Sequence, residues 1–183
     1  MAPNVLVFTR HGEKPGDGKP PHGVNPRGEH DEHSLSVEGW VRAGGLASIF
    51  ANAPLGAYPN IVTPKRVIAT KPTEKAKSHR EIDTAGPTAR RLSVDLEDSF
   101  EHGHEAHLAK SLLAGDDDAL IVWHHGALPE LLSHFPVSNA SAIPTSWPED
   151  RYDLLWVLTK DTDNTYTFTI VPQMVLPQDQ ATA

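Results

Sequence analysis

Cysteine is absent from all 183 residues of this chain. Its absence excludes disulfide bonds, thiolate zinc sites and cysteine nucleophiles. No apolar run approaches the ~20 residues that a helix needs to cross a bilayer, so no membrane span is expected. The N-terminus lacks a basic region followed by a long apolar core. We therefore expect no signal peptide and a cytoplasmic location.

Positive charge is also scarce, because Lys plus Arg number 16 against 24 Asp plus Glu, for a net charge of −8. Such an acidic protein is a poor candidate for nonspecific binding to nucleic acid or anionic lipid, so neither is an expected partner. Hydrophobic residues make up 38% and charged residues 22%, as in globular proteins. The length fits a single domain over residues 1–183, and no feature indicates an oligomeric state.

A short apolar run, Val5–Phe8, ends abruptly at Arg10, His11 and Gly12. Its length and composition predict a buried strand. Ligands of open α/β sheets bind at the carboxyl ends of strands, and this run places a cation and an imidazole there. Arginine matches phosphate oxygens with a planar fork, and histidine can attack phosphorus. Glycine allows a sharp turn and a close approach to a ligand.

A second buried run has a similar ending. Ala119–Trp123 is followed by His124, His125 and Gly126, and then by a predicted helix. If the two runs are neighbouring parallel strands, His11 and His125 meet at one edge of the sheet although they are far apart in sequence.

Helices and strands alternate along the rest of the chain. Helices are predicted over Val37–Ala51 with Ser36 as N-cap, from Ser78 with a kink or restart at Pro87, over Glu105–Leu113 and over Leu128–Phe135. Further strands are predicted within Ile61–Thr70 and over Leu154–Leu158 and Tyr166–Val171. This alternation predicts an α/β three-layer sandwich, a mainly parallel sheet flanked by helices.

Several of these segments, in order along nearly the whole chain, resemble the histidine phosphatase superfamily, also called phosphoglycerate mutase-like. The family carries Arg-His-Gly after its first strand and a second catalytic histidine before Gly or Ser after a later one. Its first helix begins like Leu35–Leu46, and its second main helix begins with an arginine followed by Thr and Pro, as at Arg80. The stretches Trp147–Asp153 and Val171–Met174 are similar to one branch of the family.

The resemblance implies a hydrolase that cleaves a small-molecule phosphomonoester without a metal or other cofactor. His11 would attack phosphorus and form a phosphohistidine, which water then hydrolyses. The phosphoryl oxygens would be held by Arg10, Arg80 and the second catalytic histidine, His125. Gly12 and His124 are the other expected substrate-site residues, although for His124 a structural role beside the pocket is the favoured interpretation.

The leaving oxygen needs a proton donor, which in this family is usually a carboxylate. Asp98, Glu101 and Glu105 all lie between Arg80 and the second histidine strand. Glu105 is slightly favoured because it directly precedes a predicted helix. Each of the three has the alternative interpretation of a solvated surface carboxylate.

Two other functions and a metal site compete with this interpretation. A phosphomutase would share the phosphohistidine step, but the short chain favours a phosphatase. A noncatalytic phosphate- or phosphopeptide-binding module would need neither His11 nor His125. Two histidines four residues apart can share a metal on a helix, but His104 and His107 are three apart, so no physiological metal site is predicted. The loop histidines His22, His30 and His33 could bind a metal adventitiously.

The segment from Lys65 to Arg80 carries six basic residues and one acid, Glu74. We expect it to rim the mouth of the site and to select substrates with more than one anionic group. The alternative is a solvated loop.

Overall fold

Six strands form one mixed sheet in this computed structural model, which describes residues 2–58 and 60–182. The strands are β1 (Val5–Thr9), β2 (Arg66–Ala69), β3 (Leu96–Glu97), β4 (Ala119–Val122), β5 (Leu154–Lys160) and β6 (Tyr166–Pro172). Their order in the sheet is β3-β2-β4-β1-β5-β6. Neighbouring strands from β3 to β1 in this order are parallel, whereas β5 is antiparallel to β1 and β6 is antiparallel to β5. The helices are α1 (Val37–Ala51), α2 (Arg80–Leu92), α3 (Glu105–Ala114) and α4 (Leu128–Ser133).

Side chains of β1 alternate between two hydrophobic cores, as the period of two in a strand requires. Leu6 and Phe8 belong to the core that contains α3 and α4, whereas Val5 and Val7 belong to the core that contains α1 and α2. Helices therefore cover both faces of the sheet, and the predicted three-layer α/β sandwich is confirmed.

The register of β1 and β4 brings the two predicted histidine segments together. These strands are parallel neighbours, with Leu6 opposite Ala119 and Thr9 opposite Val122. Because both strands end at the same level, the residues that follow them lie at one edge of the sheet.

Two local predictions around α2 need correction. The helix begins at Arg80 with His79 as N-cap residue, and the hydroxyl of Ser78 only accepts a long hydrogen bond, 3.5 Å, from the Arg80 amide. The helix also continues through Pro87, so it does not restart there. Its buried face packs on α1, and this tertiary packing overrides the local preference.

The basic segment does not rim the mouth of the site along its whole length, as was predicted. Lys65 directly precedes β2 and Arg66 is the first residue of β2, so both lie at the amino end of this strand, where they pair with Asp117 and Glu97 at 3.2 and 2.7 Å. Only the residues after β2 leave its carboxyl end.

Among the described residues, no helix combines the length and apolar character needed to cross a membrane.

Candidate active site

A cavity of about 320 Å³ opens where β1 and β4 end, and we call it the catalytic pocket. Five of the predicted site residues line it, together with five that were not predicted. The predicted ones are Arg10, His11, Arg80, His124 and His125; the others are Lys14, Ser78, Glu81, Glu149 and Tyr152. Gly12 and Glu105, which were also predicted, do not line it.

His11 is buried, with 6% of its surface exposed, and its Nδ1 lies 2.6 Å from the carbonyl oxygen of Gly12. A carbonyl only accepts, so we assign the proton to Nδ1, which leaves the lone pair on Nε2. Burial, together with the nearby charges of Arg10 and Arg80, lowers the pKa of His11 to about 3, against the opposing Gly12 hydrogen bond. The ring is therefore neutral near pH 7, the form that a nucleophile requires.

His125 lies across the pocket, with its ring centroid 6.3 Å from that of His11. Burial, and then the charge of Arg10, lower its pKa to about 4, so it is a neutral hydrogen-bond donor rather than a cation in the free protein. Its Nδ1 is buried and has no partner among the described residues. The ring of His124 stacks on that of His125 at 5.0 Å, which fixes the position of both.

Arg10 is buried and held on two sides. One terminal nitrogen donates to the carbonyl of Glu149 at 2.6 Å, and the guanidinium carbon lies 4.1 Å above the Tyr152 ring centroid, a cation–π distance. Its Nε is buried and has no partner in the described part of the chain. Buried donors are nearly always satisfied, so this one is suited to a ligand oxygen.

Arg80 is held by the long loop that follows β1. Its Nε donates to the carbonyl of Ser34 at 3.0 Å, and Nη2 donates to the carbonyl of Glu32 at 2.6 Å. The pocket therefore presents two fixed arginines from different parts of the chain, with Lys14 beside them. This positive charge suits a phosphoryl group.

Glu81 is one of the five pocket residues that the sequence did not predict. It directly follows Arg80, is only 5% exposed and lines the catalytic pocket. Burial raises its pKa to about 7, in spite of the nearby arginines. An acid in the first turn of a helix is usually a solvated residue that favours the helix dipole. Only its burial distinguishes Glu81 from such a residue.

Glu105 has a different environment from the one predicted. It is 2% exposed at the start of α3, and its Oε1 accepts hydrogen bonds from the Trp123 indole at 3.0 Å and the Gly103 amide at 3.1 Å. Burial alone would raise its pKa, but these hydrogen bonds lower it below its usual value. Its contacts therefore stabilise the Glu105 carboxylate and tie α3 to the end of β4.

The other two candidate carboxylates also lie outside the catalytic pocket. Asp98 is exposed. Glu101 lies in a loop next to the pocket, with its carboxylate 3.5 Å from the ammonium of Lys71.

Gly12 has a packing role. A Cβ at this position would lie 2.8 Å from the carbonyl oxygen of Gly39 in α1, so only glycine permits this approach. Its amide donates to the hydroxyl of Thr84 in α2 at 2.8 Å. The segment after β1 is thus fixed against both helices, and His11 with it.

Among the described residues, one group has the spacing of a metal site. The ligand atoms of His22, His30 and Glu32 lie within 4.8 Å of one another on the long loop, and they are mostly exposed. None of them lines the catalytic pocket. His33 is not part of the group, and His102 instead packs its ring against His124 at 4.8 Å.

The α/β fold, a mixed sheet with helices on both faces, is similar to those of several solved structures, and the predicted phosphoglycerate mutase-like fold is confirmed. One similar structure is a proposed phosphohistidine phosphatase, SixA, from Agrobacterium tumefaciens. It has a TM-score of 0.50 and 15% identity, and the match covers 92% of this chain and 97% of that chain.

Two mycobacterial structures are also similar. A glucosyl-3-phosphoglycerate phosphatase in complex with VO3 has a TM-score of 0.52 and 15% identity, over 91% of this chain and 97% of that chain. Mycobacterial hydrolase 1 has a TM-score of 0.52 and 12% identity, and the match covers 91% of this chain and 96% of that chain. No family model and no curated protein matches the sequence. At these identities the likeness establishes the fold, and function has to be argued from the site.

Proposed function

We propose that this protein is a phosphatase that hydrolyses a small phosphomonoester through a phosphohistidine on His11. The observation that carries the proposal is a buried, neutral imidazole in a pocket that two fixed arginines also line. A binding module would need the arginines but has no use for an activated nucleophile.

In the first step, Nε2 of His11 attacks phosphorus and the bond from phosphorus to the ester oxygen breaks. Arg10, Arg80 and the neutral His125 hold the oxygens of the phosphoryl group as it moves. Fixed positive charge that is already in place is the main source of rate in phosphoryl transfer. This chemistry places no requirement on a metal ion, because the arginines neutralise the charge.

We assign the proton donor to Glu81. Its pKa of about 7 leaves much of it protonated near neutral pH, so it can give a proton to the leaving alkoxide. The resulting carboxylate then takes a proton from the water that attacks phosphohistidine. Inorganic phosphate leaves, and His11 and Glu81 return to their starting states.

The names of the similar structures support a phosphatase without selecting its substrate, because they specify different ones. A phosphomutase would carry out the same first step and then return the phosphoryl group to an alcohol. Release of inorganic phosphate in place of a rearranged ester separates the two.

The test is a panel of phosphomonoesters assayed for inorganic phosphate with and without a chelator. We expect turnover that the chelator leaves unchanged, and its loss in His11→Asn. His134→Asn, at an exposed position after α4, is the matched control and should keep full activity. Activity that chelation abolishes and zinc or magnesium restores would contradict the proposal.

A further inference from the structure

A second cavity, of about 370 Å³, adjoins the catalytic pocket. The two share three wall residues, Ser78, Glu81 and His124. The far side of this adjoining cavity is formed by the segment that leaves β2, from Thr70 to Ala76, and by the loop that carries Glu101 and His102. A group attached to a phosphate at His11 can therefore extend past Glu81 into this space.

The adjoining cavity is lined by two lysines, Lys71 and Lys75, in a protein of net charge −8. It is also lined by two acids, Glu101 and Glu81, and burial raises the pKa of Glu81 to about 7, so that this acid is partly neutral near pH 7. Lys71 is partly neutralised by Glu101 at 3.5 Å. Lys75 also lines the cavity, and it takes part in none of the ion pairs found among residues 2–58 and 60–182.

Thr70 gives an independent indication of a ligand. It lines the adjoining cavity directly after β2, is only 8% exposed, and its hydroxyl has no hydrogen-bond partner within the described residues. A buried hydroxyl without a partner is uncommon in a native protein. An oxygen of a bound ligand would satisfy it.

We propose that the adjoining cavity binds the alcohol part of the substrate, and that this alcohol carries an anionic group of its own, a carboxylate or a second phosphate. Lys75 and Lys71 supply the charge that attracts this group, and the Thr70 hydroxyl supplies a donor for its oxygens. The proposal rests on the proposed function, because it places the phosphoryl group at His11 and the leaving group past Glu81.

Phenyl phosphate and 3-carboxyphenyl phosphate are suitable probes, since their phenols have nearly equal acidity and differ in one anionic group. We expect a higher kcat/KM for the carboxylated ester in the unmodified protein. Lys75→Met should reduce this preference by up to about fivefold, the upper end of the usual range for an exposed charge pair. Thr70→Val, which keeps the side-chain shape, should also lower it, and added salt should weaken it.

Lys77→Met is the matched control, because Lys77 is an exposed lysine of the same segment that lines neither cavity. It should keep the full preference. Equal kcat/KM for the two esters, or a preference that survives Lys75→Met combined with Lys71→Met, would overturn the second anion site and leave the phosphatase proposal intact. Hydrolysis of neither ester would instead contradict the proposed function itself.

Discussion

Burial acts in opposite directions on the two ionisable groups that we place at the centre of the reaction. It lowers the pKa of His11 to about 3 and raises that of Glu81 to about 7, because in each case it disfavours the charged form. In our proposal, the same pocket thus provides a neutral nucleophile and a partly protonated acid at one pH. Pairs of groups whose pKa values are driven apart are typical of acid–base assignments in enzymes.

The role of Glu81 predicts a dependence on the leaving group. Glu81→Gln should lower kcat for an alkyl phosphate by about 10²–10⁴, the usual contribution of a general acid. For 4-nitrophenyl phosphate, whose phenolate leaves without a proton, the loss should be under about tenfold. Steady-state rates of both esters measure this ratio.

Glu105→Gln is the matched control. It should change the rates of the two esters equally, because the Glu105 carboxylate lies outside the catalytic pocket and bonds to Trp123. A leaving-group dependence in Glu105→Gln, with none in Glu81→Gln, would return the proton donor to the residue that the sequence favoured.

Glu81 should also affect stability in a pH-dependent way. Its folded pKa of about 7 lies above its ordinary value of 4.5, so the folded state binds the extra proton between these values. The associated stability is present below pH 4.5 and is lost as the pH rises through 7. The free energy of unfolding of Glu81→Gln, minus that of the unmodified protein, should therefore rise by about 1–3 kcal/mol when the pH is raised from 5 to 8. Urea unfolding at both pH values measures this, and an unchanged difference would mean that Glu81 is not buried as a carboxylic acid.

At the scale of elements, the site depends on a close contact between the segment after β1 and the first turn of α1. Gly12 and Gly39 face each other there, and a Cβ on Gly39 would lie 2.5 Å from the carbonyl oxygen of Glu13. The N-cap Ser36 reinforces the contact, since its amide and hydroxyl both donate to that same oxygen. α1 thus acts as the support on which His11 is positioned.

Two glycines of α1 should respond oppositely to alanine. Gly39→Ala forces the two backbones apart and should lower the free energy of unfolding by about 1–3 kcal/mol, with a loss of activity. Gly44→Ala is the matched control, because nothing lies within 4 Å of a Cβ there. It should raise the free energy of unfolding by about 0.5–1 kcal/mol. Equal effects of the two changes would show that the contact does not constrain the loop.

Sequence predicted the elements whose signals are local. The β1 and β4 runs, the α1 cap at Ser36 and the histidines at the two strand ends all follow from composition and spacing. The features that the sequence did not predict, such as the different roles of Glu81 and Glu105, depend on burial in the tertiary structure. Glu81 and Glu105 are both acids at helix starts, yet one lines the pocket and the other bonds to Trp123. Likewise, the basic run is continuous in sequence, whereas in the fold Lys65 and Arg66 lie at the amino end of β2 and its other basic residues follow the carboxyl end.

At the scale of the whole molecule, one buried arginine connects three distant parts of the chain. Arg42 of α1 pairs with Glu13 after β1 and with Asp179 near the C-terminus, each at 2.7 Å, and donates to Gln173 at 3.0 Å. The Asp179 side chain is only 1% exposed. Loss of the arginine would leave that carboxylate buried and unpaired.

Arg42→Leu should therefore lower the free energy of unfolding by about 3–5 kcal/mol, the usual effect of removing one partner from a buried ion pair. Arg91→Leu, at an exposed position of α2, should change it by less than about 0.5 kcal/mol. Urea unfolding of the two variants provides the measurement. An effect of Arg42→Leu as small as that of Arg91→Leu would mean that the C-terminal segment is not held by this network.

The central claim, a phosphoryl group carried covalently by His11, is tested most directly by trapping it. The protein is mixed with an excess of a reactive aryl phosphate, quenched in alkali, where phosphohistidine survives, and digested for mass spectrometry. We predict one phosphoryl group on the peptide that contains His11, absent after acid treatment and absent in His11→Asn. A phosphoryl group on another residue, or steady turnover by His11→Asn, would contradict the account.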